Sequence, residues 1–149
     1  MAEPKVIRGG LSVDDRGALR YVNDFNFAKV KRFYQVENHS GDVIRAFHGH
    51  LKEEKYAYVV AGSALILLVA LDDVDSPNKS SEVKRYVLAS DSPSILHIPA
   101  GYANGFKFLS PNSKILFFST KSLEDSEQND DYRYPFDYWG KDVWEVKNR

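Results

Sequence analysis

The sequence predicts an all-β fold, an antiparallel sandwich or barrel built as a single domain. Short runs with strand character recur along the chain, and no long run at helical period separates them. Nine Tyr, nine Phe and two Trp also favour β-structure, because aromatic side chains fit half-buried pleated surfaces. A length of 149 residues suits one hydrophobic core.

Nine runs have strand character, and turn residues such as Gly, Pro, Asn, Asp and Ser stand between them. They are residues 18–22, 30–35, 43–50, 55–60, 63–71, 84–88, 94–98, 104–109 and 113–119. The run 63–71 is apolar on both faces, which predicts a central strand covered on each side, either by this chain or by a second subunit. We divide the domain 1–149 into N-terminal strands 5–35, a barrel 43–120 and a C-terminal aromatic segment 121–149. Residues 132–139 are too aromatic for a free tail, so we expect them to pack back over the barrel.

Composition and charge narrow the function. With 20 Lys and Arg against 21 Asp and Glu, no general attraction to nucleic acid or membrane is expected. The absence of cysteine excludes disulfides, thiolate catalysis and cysteine zinc sites. The N-terminus has no apolar leader and no apolar run is long enough to cross a bilayer, so a cytoplasmic protein is expected.

The most informative segment is residues 48–54. His48 and His50 lie two apart on a predicted strand, so both side chains point to one face, and Glu54 follows at the next turn. Two imidazoles near a carboxylate act as acids and bases near neutral pH, or bind a metal. Histidines on an exposed sheet face are the structural alternative. Metal-free acid–base chemistry is favoured here, with a His48, His50, Glu54 metal site as the alternative.

The order H-x-H-x-x-x-E, then a glycine, then P-x-G resembles the two motifs of the cupins, whose fold is a double-stranded β-helix, or jelly-roll barrel. Asn104 stands where the second cupin motif carries a metal-binding histidine. Asparagine is a poor ligand for the transition metals that imidazole and thiolate bind.

A more specific resemblance covers residues 13 to 120. D-x-R-G at 14–17, the Gln, Asn and Ser at 35–40, R-x-x-H at 45–48 and I-P-x-G-x-A-N-G-F at 98–106 are similar to the dTDP-4-dehydrorhamnose 3,5-epimerase family. The segment 48–55 also resembles the motif R-G-x-H-A-H-K-x-x-E-Q of the cupin sugar 3,4-ketoisomerases.

Both resemblances imply a cofactor-independent isomerase, typically a homodimer, that acts on a dTDP-4-keto-6-deoxyhexose in cell-surface polysaccharide synthesis, such as that of lipopolysaccharide O-antigen. They imply that His48 is the catalytic base and that His50 is a second acid–base group. Arg45 and His48 are three apart, so a bulge is needed to turn both toward one ligand. Arg45 and Arg16 match positions that hold the diphosphate, with a solvated surface role as the alternative for Arg16. Gln35 and Asn38 are expected to bind the sugar or nucleotide, with structural turn roles as the alternative. Asn104 and Lys55 are also expected to bind the substrate.

The chain also departs from the epimerase pattern. Phe117 aligns with the tyrosine that serves as the opposite-face acid, and the carboxylate partner of the base has no match. The substitute for that carboxylate is expected to be Asp137 or Glu54. The replacement acid is expected among Tyr132, Tyr134 and Tyr138. Epimerase and ketoisomerase therefore both stay open, beside a non-catalytic nucleotide-sugar-binding cupin and a metal-dependent cupin oxygenase.

Overall fold

The computed structural model describes residues 2–149, with all side chains except those of residues 126 and 127. It confirms the all-β prediction, because each of the nine predicted runs overlaps a strand. The strands are β1 Lys5–Arg8, β2 Gly10–Asp14, β3 Gly17–Tyr21, β4 Arg32–Val36, β5 Ile44–His50, β6 Lys55–Ala61, β7 Ser63–Ala70, β8 Val83–Ala89, β9 Ser94–Ile98, β10 Tyr102–Phe108, β11 Lys114–Ser119 and β12 Tyr132–Arg133. A short helix, α1 Leu123–Glu127, and a 3₁₀ turn at Asp142–Trp144 complete the described elements.

Two five-stranded antiparallel sheets form the barrel. We call them sheet I, with strand order β1-β9-β6-β11-β4, and sheet II, with strand order β12-β5-β10-β7-β8. Their inner faces share one apolar core, to which β7 contributes Ile66 and Leu68 and sheet I contributes Val59, Leu96 and Ile115. The core fills one part of the space between the sheets and leaves the rest as a cavity.

The central strand β7 is covered on both faces within this one chain. Its inner residues belong to the barrel core, while Leu65 and Leu67 on the other face pack against Tyr134, Trp139 and Trp144. The prediction that the C-terminal segment packs back over the barrel is therefore confirmed. A second subunit is not needed to cover β7, so the apolar pattern of this strand gives no information about oligomeric state.

The C-terminal segment is fixed to sheet II by backbone and side-chain hydrogen bonds. β12 pairs with β5, and the Tyr134 amide and carbonyl both bond to Phe47. Gly49 permits this close approach, because a Cβ atom there would lie 2.8 Å from Leu71 Cδ1 and 3.4 Å from the Tyr134 ring. The glycine between the two histidines thus lets the segment seal the outer side of the strand that carries them.

The hairpin of β2 and β3 forms a separate two-stranded sheet. Val13 is 72% exposed and Leu19 is 64% exposed on this hairpin. Neither residue lies in the core clusters, so the hairpin extends from the barrel with apolar side chains facing solvent.

Candidate active site

A cavity of about 420 Å³ opens between the two sheets. This volume lies in the range of small-molecule sites, which is roughly 300–1,000 Å³. Its apolar wall includes Phe106 and Phe117. The polar side chains that line it are Tyr34 and Lys55 from sheet I, and Arg45, His48 and Asn104 from sheet II.

A bulge in β5 brings Arg45 and His48 to the same cavity. Asn104 pairs with His48 and Phe106 pairs with Arg45, so three steps along β5 oppose two steps along β10. The extra residue reverses the alternation of β5, and both side chains line the cavity. The bulge that the three-residue spacing required is therefore present.

His48 is the imidazole of this cavity, with 39% of its side chain exposed. Burial lowers the pKa of His48 below its ordinary value of 6.5, and the positive charges of Lys55 and Arg133 lower it further. The Asp131 carboxylate acts in the opposite direction. A histidine whose pKa is lowered in this way stays neutral, and a neutral imidazole can accept a proton.

Asp131 is the carboxylate next to His48, and no sequence motif marks it. Its Oδ1 atom lies 3.8 Å from His48 Nδ1. Arg133 of β12 pairs with His48 of β5, and this pairing brings the carboxylate of Asp131 close to the imidazole. The two carboxylates expected in this role lie elsewhere, since Asp137 is exposed on the C-terminal segment and Glu54 bonds to His97.

His50 lies behind the cavity wall, with the residue 6% exposed. Its Nδ1 is 2.5 Å from the Asp130 carbonyl oxygen and its Nε2 is 3.3 Å from Glu53 Oε2. A carbonyl only accepts hydrogen bonds, so Nδ1 carries a hydrogen. Burial lowers the pKa of His50, and the Lys55 charge lowers it further against the opposing effect of Glu53. His50 is thus not a lining side chain of the cavity, and its catalytic role stays a prediction.

Asp130 fixes the turn that links β5 to β6. Its carboxylate accepts hydrogen bonds from the backbone N–H groups of Leu51, Lys52 and Glu53. The same residue holds the His50 ring through its carbonyl. Asp130 and Asp131 together therefore connect the C-terminal segment to both histidines.

Lys55 lines the cavity from sheet I, with 11% of its side chain exposed. Its Nζ atom is 3.6 Å from Glu53 Oε2 and 5.9 Å from the centre of the Tyr34 ring. An ammonium group at this wall is suited to stabilise negative charge that develops on a bound substrate.

Tyr34 supplies a hydroxyl group near the position where Phe117 lacks one. The two residues pair across β4 and β11, and their rings stack with centres 5.3 Å apart. Both line the cavity. The tyrosines expected as the replacement acid are engaged elsewhere, since the Tyr134 and Tyr138 hydroxyls donate to carbonyls of the 74–77 loop and Tyr132 is not a lining residue. The alternation of β4 was the available signal for Tyr34.

The other predicted substrate-binding residues divide between the cavity and its surroundings. Asn104 lines the cavity, and its amide donates to the His48 carbonyl. Asn38 lies beside the cavity, where its side chain accepts a 2.7 Å hydrogen bond from Arg45. Gln35 is exposed next to Tyr34 on β4, and strand alternation directs it to the other face of sheet I. Arg16 forms an ion pair with Asp14 on the hairpin, outside this cavity. Ligand contacts for these residues stay predictions.

The structure does not form the alternative metal site. Glu54 lies with His97, at 2.6 Å between Oε1 and Nε2, instead of joining His48 and His50. Within the described part of the chain, no group of three His, Cys, Asp or Glu side chains is arranged to hold a metal ion.

Comparison with known proteins identifies the family. The sequence pattern of the dTDP-4-dehydrorhamnose 3,5-epimerase family matches residues 3–134. The chain belongs to this family. Its members are dTDP-sugar epimerases or isomerases.

One relative by sequence is the spore coat polysaccharide biosynthesis protein SpsL of Bacillus subtilis (strain 168). The two sequences are 33% identical over 95 residues, which span 64% of this chain and 62% of SpsL. The match thus covers less than two thirds of the length of SpsL.

Solved structures of an epimerase and of a ketoisomerase share the fold. The dTDP-4-dehydrorhamnose 3,5-epimerase of Bacillus anthracis str. Ames, with TDP and pyrophosphate bound, gives a TM-score of 0.77 at 19% identity and covers 98% of this chain and 87% of its own. A mutant of the 3,4-ketoisomerase QdtA of Thermoanaerobacterium thermosaccharolyticum, in complex with TDP-4-keto-6-deoxyglucose, gives 0.69 at 18% identity and covers 93% of both chains. The fold is therefore the cupin barrel of this family, as the sequence motifs indicated. Across residues 2–149, no helix combines the length and apolar character needed to span a bilayer.

Proposed function

We propose that this protein isomerises a dTDP-4-keto-6-deoxyhexose by removing a proton next to the C4 ketone, and that the reaction is epimerisation. One observation carries the proposal. An imidazole from sheet II, His48, shares a cavity with an ammonium group and a phenol from sheet I, Lys55 and Tyr34. These are the three groups that proton removal, charge stabilisation and proton return require.

The first step uses the neutral imidazole. The C4 ketone acidifies the C–H bonds at C3 and C5. His48 takes one of these protons, the C–H electron pair becomes the enolate double bond, and the carbonyl pair moves onto the C4 oxygen. The Lys55 ammonium, whose side chain is 11% exposed at the cavity wall, stabilises this oxygen.

The second step returns a proton from the opposite face of the sugar ring. Tyr34 approaches from the sheet opposite His48, so its hydroxyl is the donor. The carbon centre is inverted and the enolate collapses to the ketone. The resulting phenolate regains a proton from solvent, and the His48 imidazolium releases the abstracted proton to solvent, so both groups return to their starting state. Asp131 orients the His48 ring and stabilises its protonated form between the steps.

Arg45 binds the diphosphate in this proposal. It lines the cavity, and Asn38 accepts a hydrogen bond from its Nε. The terminal guanidinium nitrogens can then pair with phosphate oxygens in a bidentate manner. The related epimerase and ketoisomerase structures were solved with TDP or a TDP-sugar bound, which supports a substrate of this class.

A 3,4-ketoisomerase reaction is the second candidate. It is favoured by His50, which follows His48 at strand spacing and matches the ketoisomerase motif. In that reaction His48 takes the C3 proton and His50 delivers one to C4 on the same face. The C3 hydroxyl loses its proton and the C4 oxygen gains one, so the carbonyl moves from C4 to C3. This requires His50 to leave its contact with either Asp130 or Glu53.

Proton exchange separates these possibilities. Incubation with dTDP-4-keto-6-deoxyglucose in D₂O, followed by ¹H NMR, should show deuterium at both C3 and C5 for the epimerase. Exchange at C3 alone, with the carbonyl moving from C4 to C3, would instead identify the reaction as 3,4-ketoisomerisation. The absence of exchange over hours, together with thermal stabilisation by dTDP that survives His48→Ala, would overturn catalysis and leave a nucleotide-sugar-binding protein.

The relative SpsL is named for spore coat polysaccharide biosynthesis. This supports a role for the present protein in supplying an activated sugar for a cell-surface polysaccharide. The expected phenotype of a deletion is loss or alteration of one deoxyhexose in that polymer, measured by sugar analysis.

A further inference from the structure

Glu53 is a buried carboxylate that the proposed reaction does not use. Its side chain is 0% exposed, in the turn between β5 and β6. Burial of a charge is costly unless the charge is paired and hydrogen-bonded. The groups that pair with the buried Glu53 carboxylate therefore indicate its role.

The two oxygen atoms of Glu53 face different surroundings. Oε1 accepts a 2.9 Å hydrogen bond from the Ser119 hydroxyl and lies 3.5 Å from Arg32 Nη2. Oε2 lies 3.6 Å from Lys55 Nζ and 3.3 Å from His50 Nε2. One oxygen thus contacts the supporting structure, and the other contacts the cation that reaches the cavity.

Lys55 needs such a partner because its side chain is long and flexible. A lysine side chain loses up to about 2 kcal/mol of rotamer entropy when it is held in one conformation. The Glu53 backbone is itself fixed, since its N–H donates to Asp130 Oδ2. The carboxylate is therefore a rigid anchor from which the ammonium is directed to the cavity wall.

We propose that Glu53 is a positioning residue that acts through Lys55, holding the ammonium group where the C4 oxygen of the substrate gains negative charge. This inference rests on the proposed function for the part that concerns the sugar. The alternative is that Glu53 only neutralises Arg32 and stabilises the fold. The two accounts predict different changes in the pKa of His48 when Glu53 is replaced.

The titration of His48 gives a test that does not require turnover. The charges of Lys55 and Arg133, together with His50, lower the pKa of His48, and Asp131 raises it. Arg45 and Tyr34 line the same cavity. In Glu53→Gln the ammonium loses its anchor and moves toward solvent. The pKa of His48, followed by NMR, should therefore rise, and we expect the same rise in Lys55→Met. If Glu53 serves Arg32 alone, removing its negative charge leaves the pKa of His48 unchanged or lower, and the proposal fails.

A double-mutant cycle tests the same link in catalysis. Glu53→Gln should lower the exchange rate about 10- to 100-fold, the size expected for a displaced catalytic group, and should cause no further loss in a Lys55→Met background. Additive losses would show that Glu53 acts by another route. The affinity for dTDP, which lacks the hexose, should stay unchanged in Glu53→Gln. A weaker affinity would assign Lys55 to the phosphates and overturn the placement at the C4 oxygen.

Glu54→Gln is the matched control, because it makes the same change at the neighbouring position, where the carboxylate bonds to His97 outside the cavity. It should leave exchange and the His48 titration as in the unchanged protein.

If Glu53→Gln does not fold, Glu53→Asp keeps the charge and shortens the arm by one methylene, and it should raise the pKa of His48 by a smaller amount. No rise in that variant overturns the proposal. If the unchanged protein exchanges no nucleotide-linked 4-keto sugar, the proposed function fails, while the His48 titration still decides whether Glu53 positions Lys55.

Discussion

Asp131 Oδ1 lies 3.8 Å from Nδ1 of His48, although the two residues come from distant parts of the chain. The contact exists because β12 adds to the edge of sheet II, where Arg133 pairs with His48. The short C-terminal strand thus does more than cover the barrel, since it delivers a carboxylate to the candidate base.

Replacement of this carboxylate should slow the reaction without abolishing it. Asp131→Asn removes the charge that orients the imidazole and stabilises its protonated form. We expect the exchange rate to fall about tenfold, less than for a buried triad aspartate, because Asp131 is partly exposed and its contact with His48 is long. Asp137→Asn, a change at an exposed carboxylate of the same segment, is the control and should have no effect. Equal losses in both variants would remove Asp131 from the site.

The pH profile should report the lowered pKa of His48. The base must be neutral, so activity is lost on the acidic side as His48 becomes protonated. Because burial, Lys55 and Arg133 lower the pKa of His48, the acidic limb of kcat/KM should lie below pH 6.5. Asp131 raises this pKa, so Asp131→Asn should move the limb to still lower pH. A limb above pH 6.5 would contradict the assignment of His48 as a desolvated base.

The strand pattern and the position of His48 could be predicted from the sequence because both are local. Alternation places residues i and i+2 on one face, and the spacing of Arg45 and His48 already required the bulge that β5 contains. The short strands β1 and β2 lie in the predicted N-terminal range 5–35, but the sequence analysis did not delimit them. The two-residue strand β12 is too short to be recognised from any periodic pattern.

The remaining parts of the site depend on contacts between distant segments. Glu53 lies only three residues from His50, but nothing near His50 in sequence indicates that Asp130, 80 residues away, holds the other side of its ring. This arrangement removes His50 from the cavity wall. Asp131 has no motif around it that matches the family. Tyr34 had a local signal, since it alternates with Phe33 and Gln35 on β4, but only the pairing of β4 with β11 places it beside Phe117.

The hydroxyl that donates the proton should work from either of two neighbouring positions, that of Tyr34 or that of Phe117. Tyr34→Phe removes the hydroxyl while it keeps the stacked ring, so turnover should fall about 10²–10⁴-fold, the contribution expected of a general acid. Proton removal by His48 should continue, so deuterium should still enter the recovered substrate. The double variant Tyr34→Phe/Phe117→Tyr returns a hydroxyl to the family position and should recover part of the lost turnover.

Tyr58→Phe is the control for the loss of a phenol outside the cavity, and it should leave turnover unchanged. Retention of full turnover in Tyr34→Phe would exclude this hydroxyl and make the same-face ketoisomerase reaction the better account. The C3 and C5 signals in one NMR experiment measure both outcomes.

A homodimer is expected from the exposed apolar side chains of the hairpin, of the segment 22–31 that follows it and of sheet I. Leu19 on β3 is 64% exposed, Phe27 is 60% exposed and Phe33 on β4 is 67% exposed. Phe27 and Phe33 belong to one aromatic cluster around Phe118. A two-stranded hairpin is marginally stable by itself in water, and exposed aromatic side chains grouped as Phe27 and Phe33 are around Phe118 mark an interface. A second copy of the chain is the partner we predict, because two such surfaces can cover each other in a symmetric pair.

Light scattering should give twice the monomer mass at micromolar concentration, and Phe27→Glu/Phe33→Glu should give a folded monomer. Val87→Glu, at a residue 63% exposed on β8 of sheet II, should leave the dimer intact. A monomer in the unchanged protein would show that this aromatic surface serves another partner or none.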